Sequence, residues 1–203
     1  WPEPTLDSLI DKSTFEDIGV LPAMPYPEDN AYSKEKAKLG KTLFFDPRLS
    51  ESGQIACASC HNPELGWTDN LTRSFGHDRQ TGGRNSMTIL NSGYAHTLFW
   101  DGRASSLEDQ ARFQYDIATF ERTLKSPKSK FDKFVSGKSD KFNDQEVLGL
   151  HLFRTKAQCI NCHNTPYFSD NQFHNDGQTL FGSKNEDFGR YNVTKNMEDI
   201  GKF

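Results

Sequence analysis

Two five-residue motifs contain all four cysteines of the chain, and each motif ends in a histidine. They read Cys57-Ala58-Ser59-Cys60-His61 and Cys159-Ile160-Asn161-Cys162-His163. The C-x-x-C-H pattern is the attachment signature of haem c, in which two thiols bind the porphyrin covalently and the histidine supplies an axial nitrogen to iron. The sequence therefore predicts two covalent haem c groups. One is bound by Cys57, Cys60 and His61, and the other by Cys159, Cys162 and His163.

Two other chemistries use paired cysteines. A structural zinc site needs four ligands around one ion, yet these pairs lie about a hundred residues apart in the sequence. A thioredoxin-like C-x-x-C requires a βαβ context, and the sequence pattern contains none. The double occurrence of the full motif favours haem over both.

The amino-acid composition and net charge restrict the possible classes of function. Of the 203 residues only 34% are hydrophobic, which is low for a chain that must bury a core. Two porphyrins would supply apolar bodies around which small lobes fold. A net charge of −4 argues against nucleic acid as the main partner. No apolar run is long enough to predict a membrane span.

The N-terminus shows no signal peptide, and we read the chain, which opens at Trp1, as a mature or trimmed product. Covalent haem c is attached outside the bacterial cytoplasm. The haem motifs therefore predict a periplasmic location.

An internal duplication surrounds the two motifs. Helices are predicted over Lys34–Phe45, capped by Ser33, and over Asp144–Phe153, capped by Asn143. The helices share the pattern G-x-x-L-F, at 40–44 and at 149–153. After the motifs, W-T-D-N at 67–70 matches F-S-D-N at 168–171. Helix, haem motif and loop occur twice, which predicts a mainly α protein with two cytochrome c-like lobes, each built around one haem.

Lobe boundaries follow from this repeat. Residues 1–32 contain five of the nine prolines and are predicted to form an extended N-terminal arm. The first lobe is predicted over 33–111 and the second over 112–203, the latter incomplete at its C-terminus. Between the motifs, Ser105 to Glu108 reads as a capping box that opens a helix, and another helix is predicted over Tyr115–Leu124. Residues 125–140 are charged and are predicted to be a solvated connector.

The whole pattern resembles the bacterial dihaem cytochrome c peroxidase family, which includes the MauG-like enzymes. The matching segments cover nearly everything from Lys34 to the end. They include L-G-K-x-L-F-F-D-P-R-L-S at 39–50, G-W-T-D at 66–69, G-G-R-N at 82–85, F-W-D-G-R at 99–103, F-E-R-T-L at 120–124 and G-R-Y-N-V-T at 189–194. The F-W-D-G-R segment between two haem motifs is the most specific of them.

The resemblance implies unequal roles for the two haems. The haem on His61 would be the peroxidatic site and the haem on His163 the site at which electrons enter. His77 stands where the family carries a distal histidine that closes the first iron at rest. Trp100 matches a tryptophan between the haems, and Asn85 matches a residue that helps to hold a calcium ion. Without the resemblance, the sequence favours a loop histidine for His77 and a core residue for Trp100.

The function implied by the resemblance is reduction of hydrogen peroxide to water, with electrons from a small cytochrome c or a cupredoxin. The same resemblance implies a calcium ion and a homodimer. A MauG-like oxidase that acts on a partner protein by long-range electron transfer is the first alternative. A plain dihaem electron carrier is the second.

The chain departs from the family pattern in two places. After Gln110-Ala111, relatives continue with several dozen residues that include a distal glutamate, whereas this chain proceeds directly to its next helix. It also ends at Phe203, before the segment expected to supply the sixth ligand of the second haem. Methionine there would imply a peroxidase and tyrosine a MauG-like oxidase.

Overall fold

The computed structural model describes Phe15 and the ranges 17–112, 114–177, 179–184 and 186–203, with the side chain of Ser139 excepted. The first fourteen residues of the predicted arm lie outside the described residues. The chain divides into two compact units. The smaller comprises Trp1–Ala23 and Ser126–Gln172, and the larger comprises Met24–Lys125 and Phe173–Phe203.

Seven α-helices and several 3-10 turns form the regular structure of the described residues. The helices are α1 (Lys34–Phe44), α2 (Cys57–Cys60), α3 (Leu107–Gln110), α4 (Tyr115–Glu121), α5 (Lys130–Val135), α6 (Asp144–Arg154) and α7 (Tyr191–Thr194). Extended pairing in these ranges is confined to isolated bridges. The prediction of a mainly α protein is confirmed. None of the described helices has the length and apolarity that crossing a bilayer requires.

The core of the larger unit is a crossing between α1 and α4. Phe44 of α1 is fully buried and packs against Ile89, Ile117 and Phe120. Gly40 lets the helices approach, because a Cβ at this position would collide with the backbone carbonyl of Asp116 on α4. The predicted start of α1 is confirmed, since the Ser33 hydroxyl accepts a hydrogen bond from the Lys36 amide at 3.3 Å.

A short helix, α3, supplies a buried charge to this unit. It begins one residue later than predicted, because Ser106 rather than Ser105 is the N-cap and accepts from the Asp109 amide at 3.1 Å. The carboxylate of Asp109 accepts in turn from the Ser105 amide at 2.8 Å. The turn therefore places Leu107 and Glu108 in the interior.

The smaller unit is built around α5 and α6. Phe134 of α5 and Val147 of α6 form a cluster with Phe15 and Ile18. The prediction of a solvated connector over 125–140 is wrong for α5, whose Phe134 is only 3% exposed. The capping box Ser129–Asp132 starts that helix, and its period places an aromatic face on the core.

The segment predicted as an N-terminal arm contributes buried side chains to both units. Phe15 and Ile18 lie in the core of the smaller unit, and Asn30 is fully buried in the larger one. Asn30 donates to Glu108 at 2.7 Å and to the carbonyl of Tyr115 at 3.0 Å. The predicted lobe boundary between residues 111 and 112 stays a prediction. In the division into compact units, residues 112–125 and 173–203 belong to the same unit as the first haem motif.

Candidate haem sites

The first C-x-x-C-H motif forms α2 and the residue that follows it. The His61 amide donates to the Cys57 carbonyl at 3.0 Å, which closes the turn. The ring atom Nδ1 of His61 lies 3.1 Å from the Trp67 carbonyl oxygen, and the Ser86 hydroxyl lies 3.3 Å from the same nitrogen. A backbone carbonyl on one ring nitrogen is the usual way in which a metal-binding histidine is oriented, with the other nitrogen directed to the metal.

Burial also prepares His61 for a metal. Removal from water lowers the pKa of its imidazole, and hydrogen bonding at the Trp67 carbonyl opposes this shift only in part. The neutral ring, which is the form that binds iron, is therefore favoured.

The second motif repeats this arrangement in the smaller unit. Cys159–Asn161 form a 3-10 turn, and Nδ1 of His163 lies 2.6 Å from the Phe168 carbonyl oxygen. Trp67 and Phe168, which present the two carbonyls, both have positive φ, at +64° and +56°. Positive φ is uncommon for bulky aromatic residues. The duplication therefore extends to an unusual backbone conformation that holds each histidine ring.

Aromatic packing fixes the same loops. Phe44 on α1 contacts Trp67 edge-on, with ring centroids 5.9 Å apart. Phe153 on α6 contacts Phe168 edge-on at 6.1 Å. Each pair joins the helix before a motif to the loop after it, so the matched sequence positions have matched contacts in the two units.

A cavity of about 740 Å³ opens beside His61 within the larger unit. This size is in the range of cofactor pockets. Its walls include Cys60, His61, Ser86, Ile89, Ser92, Leu98, Phe99, Trp100, Leu107, Gln110 and Glu121. Three of its polar atoms, Ser74 Oγ, Ser92 Oγ and Gln110 Oε1, are buried with no hydrogen-bond partner among the described residues. A thiol, an axial histidine and a large cavity with unpartnered polar atoms fit a haem.

Ion pairs close one side of this cavity. Arg84 donates to Asp101 at 2.6 Å and to Asp187 at 2.7 and 2.9 Å. Arg103 also donates to Asp101, at 3.0 Å. Both arginines therefore pair with Asp101.

Trp100 and Asn85 are neighbours in the larger unit. The indole Nε1 of Trp100 donates to the Asn85 carbonyl at 3.0 Å, and its ring lines the cavity with His61. The side-chain amide nitrogen of Asn85 donates to the Leu71 carbonyl at 2.6 Å. The structure thus brings Trp100 to the first haem site, while its predicted role between haems and the calcium role of Asn85 stay predictions.

His77 lies in a turn outside the lining of this cavity. Its Nε2 is 3.1 Å from the Asp78 carboxylate, whereas its Nδ1 is buried and has no partner among the described residues. Asp78 and Arg79 both have positive φ, so the turn is tight. The ring therefore keeps one unused nitrogen, which a distal ligand requires, but it is not directed into the cavity.

Two buried acids in this region were not predicted from the sequence. Glu108 accepts two hydrogen bonds from Arg122, and Glu121 lies in the cavity wall. The helical period offered a signal for the second, because Glu121 follows Ile117 by four residues on the buried face of α4.

Comparisons with known proteins agree with this geometry. The sequence model of a family described as di-haem cytochrome c peroxidase matches residues 34–116. The cytochrome-c peroxidase IdrP1 of Pseudomonas sp. (strain SCT) is 33% identical over 258 aligned positions, which cover 92% of this chain and 68% of that protein. The cytochrome c551 peroxidase of Nitrosomonas europaea is 35% identical over 247 positions, covering 98% of this chain and 74% of that protein.

The chain belongs to the di-haem cytochrome c peroxidase family. Membership implies haem c at both motifs and an oxidoreductase of the peroxidase type. The MauG protein of Methylorubrum extorquens is also similar, at 35% identity over 76% of this chain and 56% of that protein. Both peroxidase alignments are longer than the 203 residues present here, so these family members carry internal segments without a counterpart in this chain.

Two solved structures share the fold. A MauG-like protein associated with microbial copper homeostasis superposes with a TM-score of 0.79 and 28% identity, over 91% of this chain and 69% of that one. The diheme peroxidase BthA of Burkholderia thailandensis superposes with a TM-score of 0.63 over 71% of this chain and 55% of that one, at 21% identity. The predicted fold class, mainly α with two cytochrome c-like lobes, is confirmed by this family.

Proposed function

We propose that the protein reduces hydrogen peroxide to water, with electrons from a small periplasmic cytochrome c or cupredoxin. The observation that carries the proposal is the oriented axial histidine, His61, at the edge of a cavity large enough for haem and a small substrate. The reaction consumes one peroxide, two electrons and two protons and yields two water molecules. Both electrons come from the donor protein.

In this proposal the two haem motifs have different roles. Cys57, Cys60 and His61 hold the haem at which peroxide binds. Cys159, Cys162 and His163 hold the haem that receives electrons from the donor. Haem iron, when bound, exchanges single electrons and offers a coordination position to small molecules. The Trp67 and Phe168 carbonyls fix the imidazole rings and so set the axial nitrogens.

Three further roles belong to the same proposal. His77 closes the first site at rest and leaves it after reduction of the second haem, as a switch with two states. Its unpartnered Nδ1 supports this role. Trp100, in the cavity wall, couples the haems. Asn85 contributes to a calcium site, since its amide nitrogen is held by Leu71 and its amide oxygen is a ligand of the type that calcium prefers.

A MauG-like oxidase is the second candidate function. The similarity to the MauG-like protein over 91% of this chain, with a TM-score of 0.79, favours it. In that case the oxidising equivalents would pass to residues of a partner protein rather than to a donor cytochrome.

The experiment that separates these candidates is peroxide turnover. The haem-loaded protein is reduced by one electron, and peroxide-dependent oxidation of a reduced small cytochrome c is then followed. Fast turnover that requires the preliminary reduction supports the peroxidase. Slow turnover with a long-lived oxidised state supports the MauG-like oxidase. The absence of any reaction with peroxide supports a dihaem electron carrier.

The role of His77 is tested with a matched pair of variants. His77→Gly should give turnover without preliminary reduction, because the closing ligand is gone. Asp78→Asn removes the negative charge beside His77 but keeps the imidazole, and asparagine tolerates the positive φ of this position. It should retain the requirement for reduction. Equal behaviour of the two variants would contradict the gating role.

A further inference from the structure

Glu121 is a buried acid on the wall of the first haem cavity. The residue ends α4 and is 4% exposed. Its side chain lines the cavity that also contains His61 and Gln110. The carboxyl group lies within electrostatic range of the Cys57 sulfur, which is one of the two haem attachment points. Glu121 is thus near a thiol that would hold the haem.

The surroundings of Glu121 leave its charge unpaired. The adjacent cation, Arg122 at the C-cap of α4, donates hydrogen bonds to both carboxylate oxygens of Glu108 on α3. The contacts of α1 with α4 are made by Gly40 and Phe44, which carry no charge. No hydrogen bond or ion pair of the Glu121 carboxylate occurs among the described residues. This is unusual, because buried charges are normally paired.

Burial therefore sets the protonation of this acid. Withdrawal from water, which the attraction of Arg122 offsets only in part, raises the pKa of Glu121 to about 8. The group is mainly a neutral acid at pH 7 and loses its proton in slightly alkaline solution.

We propose that Glu121 is the proton-exchanging group of the first haem cavity. In slightly alkaline solution, where this carboxyl group is ionised, it takes up one proton from water when the haem on His61 gains one electron, and it releases that proton when the electron leaves. The inference rests on the proposed function only for the source of the electron. The net charge of the cavity then stays constant, which is the favourable outcome in a region of low dielectric constant.

The other charged groups in the cavity wall are exposed, hydrogen-bonded or paired. Arg73 and Lys184 are exposed, and Glu186 accepts a hydrogen bond from the Gly182 amide at 3.0 Å. Arg84, Arg103, Asp101 and Asp187 are joined in ion pairs, and ion pairing lowers the pKa of a carboxylate. The ring of His61 is held by the Trp67 carbonyl and would bind the haem iron with its other nitrogen. Glu108 is fixed by Arg122 and Asn30.

The test is the reduction potential of the first haem as a function of pH in the haem-loaded protein. As the pH rises above about 8, the potential should fall by about 59 mV for each tenfold loss of protons, the value for one electron and one proton. Glu121→Gln keeps the shape of the side chain but cannot ionise, and it should abolish this slope. Glu35→Gln, an exposed change on α1, should leave the slope intact.

An unchanged slope in Glu121→Gln would overturn the inference. If that variant binds haem poorly, infrared difference spectra of the native protein decide instead. Reduction above pH 8 should produce the carbonyl band of a protonated carboxylic acid, and absence of this band would equally overturn it. Neither readout uses peroxide, so a protein that shows the slope without peroxide turnover would retain this inference and lose the proposed peroxidase function.

Discussion

The guanidinium group of Arg122 donates to both carboxylate oxygens of Glu108, at 2.5 and 2.9 Å, inside the larger unit. Both side chains are less than a tenth exposed. Asn30 adds a third hydrogen bond to the same carboxylate at 2.7 Å. One buried ion pair therefore ties α3 to α4 and both of them to the segment before α1.

Loss of one partner of this pair should be costly. Glu108→Ala leaves the Arg122 charge buried and unpaired, and we expect a loss of about 3–5 kcal/mol in the free energy of unfolding. Lys141→Ala removes an exposed ion pair with Asp140 and should cost at most about 1 kcal/mol. Urea unfolding of both variants measures the difference. Equal losses would show that the buried pair contributes no more than a surface pair.

Gly40 and Gly149 occupy the same position in the two repeats but should respond differently to the same change. Gly40→Ala forces a Cβ into the Asp116 carbonyl and should destabilise the larger unit by several kcal/mol. Gly149→Ala meets no atom within 4 Å and should be neutral or stabilise α6, by about 1 kcal/mol at most. Thermal unfolding of the two variants checks this. A neutral Gly40→Ala would show that α1 and α4 can separate without cost.

The stability of the protein should fall as the pH rises through the range in which Glu121 titrates. Its pKa is raised from 4.5 to about 8 in the folded state, so the folded protein holds a proton that the unfolded chain releases. The contribution is complete below pH 4.5 and is lost as the pH rises towards 8, by about 1.4 kcal/mol per pH unit.

Urea midpoints at several pH values measure this effect as the difference between native protein and Glu121→Gln. The variant should lack the decline. A parallel decline in both proteins would assign it to other groups.

The contribution of Glu108 to stability should depend on pH in the opposite direction to that of Glu121. Burial disfavours its charged form, but hydrogen bonds from Arg122 and Asn30 outweigh burial and lower its pKa from 4.5 to about 2. Its stabilising contribution is therefore present above pH 4.5 and is lost as the pH falls towards 2. Native protein should lose stability in that interval, and Glu108→Gln should lose less, when the same urea midpoints are measured.

Each haem motif should attach its haem independently of the other. The double variant Cys57→Ser/Cys60→Ser should retain one covalent haem, as should Cys159→Ser/Cys162→Ser, because each set of thiols serves one porphyrin. Mass spectrometry of the intact chains counts the haems. Two covalent haems in either variant, or none in both, would contradict the assignment. The two variants serve as controls for each other.

Much of the site could be derived from the sequence because it depends on local patterns. The cysteine and histidine spacing, the caps at Ser33 and Asn143, and the G-x-x-L-F repeat are all properties of a few neighbouring residues. They predicted α1 and α6 to within one residue at each end. They also predicted that the two halves would repeat each other, which the Trp67 and Phe168 carbonyls show at the level of single hydrogen bonds.

Only the tertiary structure decided which charges are buried and which are paired. Glu108, Glu121 and Asp132 are equivalent acids in a sequence. In the structure the first is fixed by Arg122, the second is unpaired in a cavity wall, and the third accepts a hydrogen bond from the Ser129 amide at the start of α5. Burial and pairing depend on residues distant in the chain, such as Asn30 and Glu108, which are 78 positions apart. For the same reason the buried aromatic face of α5 could not be predicted from its charged segment, because its packing partner Phe15 lies far away in the sequence.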